Sequence, residues 1–187
     1  MAKKNEPTKE INWVKEIIEM VIYIAFVLLA VWLIITYVGQ RTEVSGDSMY
    51  NTLEDGDNLW IDKLSYKFNE PERFDIVVFP FHGSEVFYIK RIIGLPGETV
   101  RIDEDGNIYI DGEILEENYG YETISPSMIG RADEEIKLGA DEYFVMGDNR
   151  NDSKDSRTEE VGNIHLDELE GKVALRIWPF NKFGKVE

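Results

Sequence analysis

Cysteine is absent from all 187 residues, histidine occurs twice, and bases are outnumbered, with 20 Lys or Arg against 37 Asp or Glu. The missing cysteine excludes structural disulfides, cysteine-ligated zinc, iron–sulfur clusters and thiol nucleophiles together. Two histidines are too few for a histidine-rich metal site, and no metal or cofactor is expected. A net charge of −17 repels phosphate backbones, which excludes nucleic-acid binding by charge. Internal repeats and low-complexity tracts are also lacking. Hydrophobic residues, at 43%, suffice for a core, so wholesale disorder is excluded too. What remains is one compact domain with an appendage, using hydroxyl, amine or carboxylate chemistry, or none.

The average hides a segregated chain. Met20 to Val38 form 19 consecutive residues without a charge. At about 1.5 Å per residue, such a helix spans the hydrocarbon core of a bilayer. A buried helix of a soluble protein is usually shorter and carries a polar stripe. A cleaved leader would be followed by an Ala-x-Ala-like site, and TYVGQRTEV offers none. Residues 20–38 therefore read as a retained transmembrane anchor. Lys3, Lys4, Lys9 and Lys15 precede it, and only Arg41 lies in the twenty residues after it. This bias places residues 1–19 in the cytoplasm and residues 39–187 outside it. Trp13 and Tyr37 lie near the two ends of the span. The outer 149 residues hold 33 acids and 16 bases, so all of the net charge lies there.

Beyond Val44 the pattern is β. Short β-branched or aromatic runs occur at Asn58–Lys63, Asp75–Pro80, Val86–Ile93, Thr99–Ile102, Asn107–Ile110, Glu135–Leu138, Tyr143–Met146 and Gly171–Trp178. Turn sequences such as LEDGD, GLPGE and DEDGN separate them. Only Asp167–Glu170 suggests a helical turn, and Glu113–Arg131 reads as a loop-rich excursion. The expected fold is mostly β: one membrane helix followed by an antiparallel β domain.

Three segments are unusual for plain turns. Val44–Leu53 (VSGDSMYNTL) follows the anchor closely and contains Ser48; a loop serine is ordinarily a turn cap. In Phe87–Glu98 (FYIKRIIGLPGE), Lys90 and Arg91 interrupt an apolar strand. Alternation puts Lys90 on a face with Val86, Tyr88 and Ile92. A lysine there snorkels to an edge or, if held inside, loses several pK units and becomes a base at neutral pH. Gly147–Arg157 (GDNRNDSKDSR) is either a solvated loop or a hydrogen-bond network that orients a site.

Taken in this order behind a membrane anchor, SM-x-x-TL, KRIIGLPGE and GDNRNDSKDSR resemble the type I signal peptidases, membrane-bound serine proteases with a Ser–Lys dyad. The single anchor and small size look like the Gram-positive form. The resemblance implies a signal-peptidase-like antiparallel β catalytic domain with a variable β-rich insertion at about residues 100–140. It implies Ser48 as nucleophile and Lys90 as general base, without histidine. Ser153 matches the serine that hydrogen-bonds the lysine amine. Asp155 matches a nearby acid paired with Arg157, and Asp148 and Arg150 match further network positions. The oxyanion donors would be the Ser48 N–H and a second group around Gly46. Val44, Ser45, Met49, Leu53, Tyr88 and Ile89 match the lining of a shallow pocket for a small residue. The implied substrates are signal peptides of exported preproteins, cut after a small-x-small pattern such as Ala-x-Ala. The implied partners are those peptides and the lipid bilayer of the plasma membrane. Phe79-Pro80-Phe81, Trp178-Pro179-Phe180 and Phe183 are candidates either for a membrane-dipping edge or for ordinary packing.

Two departures from the family pattern stand out. Asn51 occupies the place of a proline, and Thr158–Val161 intervene before Gly162. They motivate one alternative, a catalytically weak or inactive membrane-anchored binding protein. Soluble repressor-type Ser–Lys proteases are disfavoured by the anchor, and histidine-dependent relatives by Lys90, since neither His82 nor His165 matches their base.

Overall fold

The computed structural model describes residues 13–186. The described residues fall into two compact units that part between Tyr37 and Val38. In the first, helix α1 (Trp13–Leu33) runs into a π-helical turn, Ile34–Val38. Together they form 26 residues long and apolar enough to cross a membrane. The helix begins before the uncharged run and takes in Lys15 and Glu19, an i,i+4 ion pair at 3.7 Å. None of its residues is buried within the protein, so its apolar side chains need another apolar medium. Lys3, Lys4 and Lys9, which carry most of the orientation argument, lie outside the described residues.

The second unit is built from antiparallel strands. In chain order these are β1 (Gly39–Glu43), β2 (Asn58–Asp62), β3 (Ile76–Pro80), β4 (Phe87–Gly94), β5 (Thr99–Ile102) and β6 (Ile108–Ile110). They continue with β7 (Glu113–Ile114), β8 (Ile136–Lys137), β9 (Glu142–Met146), β10 (Ile164–His165), β11 (Gly171–Trp178) and β12 (Gly184–Lys185). The larger sheet has the order β1-β2-β11-β3-β4-β9-β10, with β12 added to β11. The smaller is β7-β6-β5-β8. All eight expected strands form, shifted by a residue or so at their ends.

Alternation explains the packing of the central strand β3. Ile76 and Val78 join a core with Leu59, Ile61, Val173, Met49 and Leu53, whereas Val77 and Phe79 join Ile92, Tyr143, Val145 and Ile164. Both faces are therefore covered, which is why IVVF reads as a continuous apolar run. Phe79 belongs to this core and not to a surface edge, unlike the exposed Trp178, Phe180 and Phe183. A third core joins the small sheet to β4 and β9 through Val100, Ile102, Ile108, Ile93, Phe144 and Met146.

Several elements were not expected. β1 is polar (GQRTE) and is held by backbone register against β2, Gly39 opposite Asp62 and Glu43 opposite Asn58. α2 (Ser65–Phe68) is a single turn, started by the Asp62 carboxylate accepting from the Leu64 and Ser65 N–H groups. β7, β10 and β12 are two-residue pairings too short to leave a pattern. The expected helical turn is a 3-10 turn at Leu166–Glu168.

Candidate active site

The site forms where three segments distant in sequence meet. Ser48 opens the turn that follows β1. That turn is pinned by Leu53 N–H to the Met49 carbonyl at 2.8 Å, with the Met49 and Leu53 side chains buried in the core beneath it. Ser48 is thereby left partly exposed at the surface of a rigid base. β4 supplies Lys90, opposite Val77 of β3. On its other edge β4 pairs with β9 only from Arg91 onward, so residues 87–90 have no partner strand there among the described residues.

The Lys90 ammonium nitrogen lies 2.8 Å from Ser48 Oγ and 2.9 Å from the Ile89 carbonyl. Only 3% of Lys90 is exposed. Burial lowers its amine from 10.5 to about 8, against the opposing pull of Asp155 and Asp148, with Arg157 adding to the lowering. The strand thus holds its lysine inside instead of letting it snorkel. At mildly alkaline pH this amine can take a proton from the hydroxyl it touches.

The loop Gly147–Arg157 surrounds this pair. Asp155 and Arg157 form a bidentate buried pair, both contacts at 2.8 Å. Asp155 also accepts the Gly147 N–H at 2.9 Å, and Arg157 donates to the Arg150 and Met128 carbonyls. Asp148 is gripped by Arg91 at 2.9 and 2.7 Å and accepts from the Thr52 hydroxyl at 2.5 Å. Arg150 donates to the Gly147 carbonyl at 3.2 Å and pairs with Glu117 at 2.7 Å. Asn149 ties the loop to the serine turn: its N–H reaches the Ser48 carbonyl at 3.1 Å and its side chain the Asp47 carbonyl at 3.2 Å.

A cleft of about 520 Å³ opens beside Ser48 and Lys90. One wall is Thr42, Glu43, Val44, Ser45 and Met49, the other Val86, Phe87, Tyr88 and Ile89, with Lys154 at the margin. Five of the six expected pocket residues line it. Leu53 does not, because its side chain is spent on anchoring the turn. Two further expectations change. The Ser153 hydroxyl is buried and has no hydrogen-bond partner among the described residues, so the bond to the Lys90 amine is not made; Ser48 and Ile89 accept from that amine instead. The Gly46 N–H is taken by the Asp55 carboxylate at 2.8 Å, which removes it as a ready oxyanion donor.

Some of the site was not foreseen. A Cβ on Gly147 would stand 2.4 Å from the Ser48 carbonyl and 2.3 Å from Ser153 Oγ, so only glycine lets the loop approach the serine. Arg91 and Thr52 complete the Asp148 cluster. Charge in the apolar run IKRII was the available signal for Arg91; Thr52 stood in the SM-x-x-TL motif without a role assigned to it.

An antiparallel β domain with a serine hydroxyl under a buried lysine amine, beside an open cleft, has the build of a serine peptidase that works without histidine. The chain belongs to the signal peptidase family, peptidase S26, whose profile matches residues 14–178. It is 37% identical over 192 aligned positions to the probable signal peptidase I-2 of a Synechocystis species, covering 98% of this chain and 81% of that one. It is 39% identical over 161 positions to signal peptidase I of Leptolyngbya laminosa, covering 81% and 74% of the two chains. A crystal structure of a signal peptidase I from Enterococcus faecalis aligns with a TM-score of 0.46 at 33% identity, over 57% of this chain and 98% of that one. Membership makes the chain a peptidase, and nothing in the family or the geometry favours the inactive alternative.

Proposed function

We propose that this chain is a type I signal peptidase that removes signal peptides from exported preproteins, with Ser48 as nucleophile and Lys90 as general base. The neutral Lys90 amine takes the proton of Ser48 Oγ as that oxygen attacks the scissile carbonyl carbon. The Ser48 N–H, which has no protein acceptor among the described residues, faces the developing oxyanion. The Lys90 ammonium then returns the proton to the leaving amine, and the signal peptide remains as an ester on Ser48. Water, deprotonated by the same amine, hydrolyses the ester. Asp148, Arg150, Asp155 and Arg157 hold the site in shape and make no bonds to substrate.

An extended substrate adds as a strand along the cleft, using the unpaired edge at residues 87–90. Val44, Met49, Tyr88 and Ile89 leave room for a small side chain, in keeping with a small-x-small site. The helix anchors the enzyme in the membrane that holds its substrates, with residues 39–187 outside the cytoplasm. Exposed Trp178, Phe180 and Phe183 provide an apolar edge suited to the bilayer surface.

The observation that carries this reading is the 2.8 Å contact between Ser48 and a lysine that is almost wholly buried. Its test is cleavage of a preprotein bearing an Ala-x-Ala site by the solubilised enzyme, beside Ser48→Ala. Cutting after the second alanine, lost in the variant, supports the reading. Failure of folded wild-type protein to cut in detergent and in lipid would reject it.

A further inference from the structure

We propose that the segment Glu117–Tyr121 is a positioning strap, which holds from outside the two arginines that fix the loop carrying Gly147 and Asp148 against Ser48. The proposal rests on the peptidase reading above and concerns how its site keeps its geometry.

Alternate residues of the segment reach the site's supports. The Glu117 carboxylate, itself largely buried, pairs with Arg150 at 2.7 Å, and Arg150 donates to the Gly147 carbonyl. Tyr119 lays its ring 3.8 Å from the Arg91 guanidinium, within the range where a ring face attracts a cation. The same ring packs on Phe74, whose carbonyl also accepts from Arg91. The Tyr121 N–H donates to the Asp148 carbonyl at 2.8 Å. The Tyr121 ring meets Tyr50, two residues past the serine, edge-on at 4.9 Å. Gly120 passes so close to Arg150 that a Cβ there would lie 3.2 Å from the guanidinium carbon. Each grip therefore leads to Ser48 in few steps: Glu117 through Arg150 and Gly147, Tyr119 through Arg91, Asp148 and Thr52, Tyr121 through Tyr50.

A strap acting through geometry and charge has a different signature from one that only adds stability. If Arg91 loosens, Asp148 is less neutralised, and its charge favours the protonated Lys90 amine more strongly. Turnover should then need a higher pH. Small displacements of reacting groups also lower kcat more than KM.

The test measures kcat and KM on an Ala-x-Ala preprotein for full-length wild type, Tyr119→Leu, Tyr119→Phe, Glu117→Gln and Tyr121→Ala, from about pH 6 to about pH 10. Tyr119→Leu and Glu117→Gln should lower kcat about tenfold or more with KM little changed. Tyr119→Leu should also move the acid limb of its profile upward. Tyr119→Phe keeps the ring face and should stay near wild type. Three outcomes would overturn the strap: wild-type kcat in Tyr119→Leu, equal losses in the Leu and Phe variants, or a change in KM alone. The last would make the polar hollow formed by Asn51, Thr52, Asn118 and Tyr119 a substrate subsite. If Tyr119→Leu does not fold, Tyr121→Ala decides, since that ring is half exposed; unchanged kcat there would reject the strap. Inactive wild type would instead reject the peptidase reading, so the two failures are distinct.

Discussion

Ser48 and Lys90 are the smallest unit that accounts for the proposed chemistry, and their physics is a conflict between stability and function. Holding the Lys90 amine at about 8 instead of 10.5 corresponds to roughly 3 kcal/mol of unfavourable charge burial at neutral pH. The folded protein releases the proton before the unfolded chain does. Stability should therefore rise as pH climbs from about 8 toward 10.5, because the unfolded state then binds more protons. Denaturant titrations of wild type and Lys90→Met should show this as a pH-dependent difference, with wild type gaining on the variant by up to roughly 3 kcal/mol over that window. A pH-independent difference would mean that the amine is not desolvated. In turnover, Lys90→Ala should fall to the same residual level as Ser48→Ala, since members of a dyad act as a unit. Lys90 was legible because a charge interrupts an apolar strand, and Ser48 only through the resemblance that its SM-x-x-TL motif carries. The fine hydrogen bonding was not: Gly46 is diverted to Asp55 and Ser153 is left unpaired, and neither choice leaves a mark in residue order.

At the scale of elements, the site is a meeting of the serine turn, the lysine strand β4 and the loop after β9. Gly147 leaves the least room among them, since a Cβ there would lie 2.4 Å from the Ser48 carbonyl oxygen. Gly147→Ala should destabilise the domain by about 1–3 kcal/mol through overpacking, and displace Ser48 enough to remove most activity. Thermal unfolding alongside turnover would check both; a fully active, fully stable variant would show that the loop is not pressed on the serine. β3, β4, β9 and β11 were readable because their apolar runs record burial. β1 was not, since a polar edge strand is specified by backbone pairing with β2 and by its place after the membrane exit. The segment Glu117–Tyr121 escaped for a related reason. Its partners lie on β4 and in the catalytic loop, and it has no periodicity of its own to announce them.

At the scale of the whole molecule, the chain separates an apolar helix from an acidic β domain, and composition alone showed the division. The expected boundaries follow the charge pattern, although the helix already includes Trp13 to Glu19, ahead of the uncharged run, because Lys and Glu extend a helix as readily as apolar residues do. Removing residues 1–37 should leave the β domain folded, with its unfolding midpoint little changed, since its three cores lie wholly beyond residue 38. Such a protein should still cut a short soluble peptide. It should lose most of its advantage on a preprotein inserted in vesicles, where a shared membrane raises the effective concentration. Equal loss on both substrates would mean that the helix supports the fold and does more than anchor it.

The most direct test of the central claim, that a buried neutral lysine activates Ser48, is the pH dependence of turnover on one preprotein substrate. The account predicts a rate that is low in acid and rises through about pH 8, following deprotonation of the Lys90 amine. A flat profile between about pH 5 and about pH 9 would contradict it.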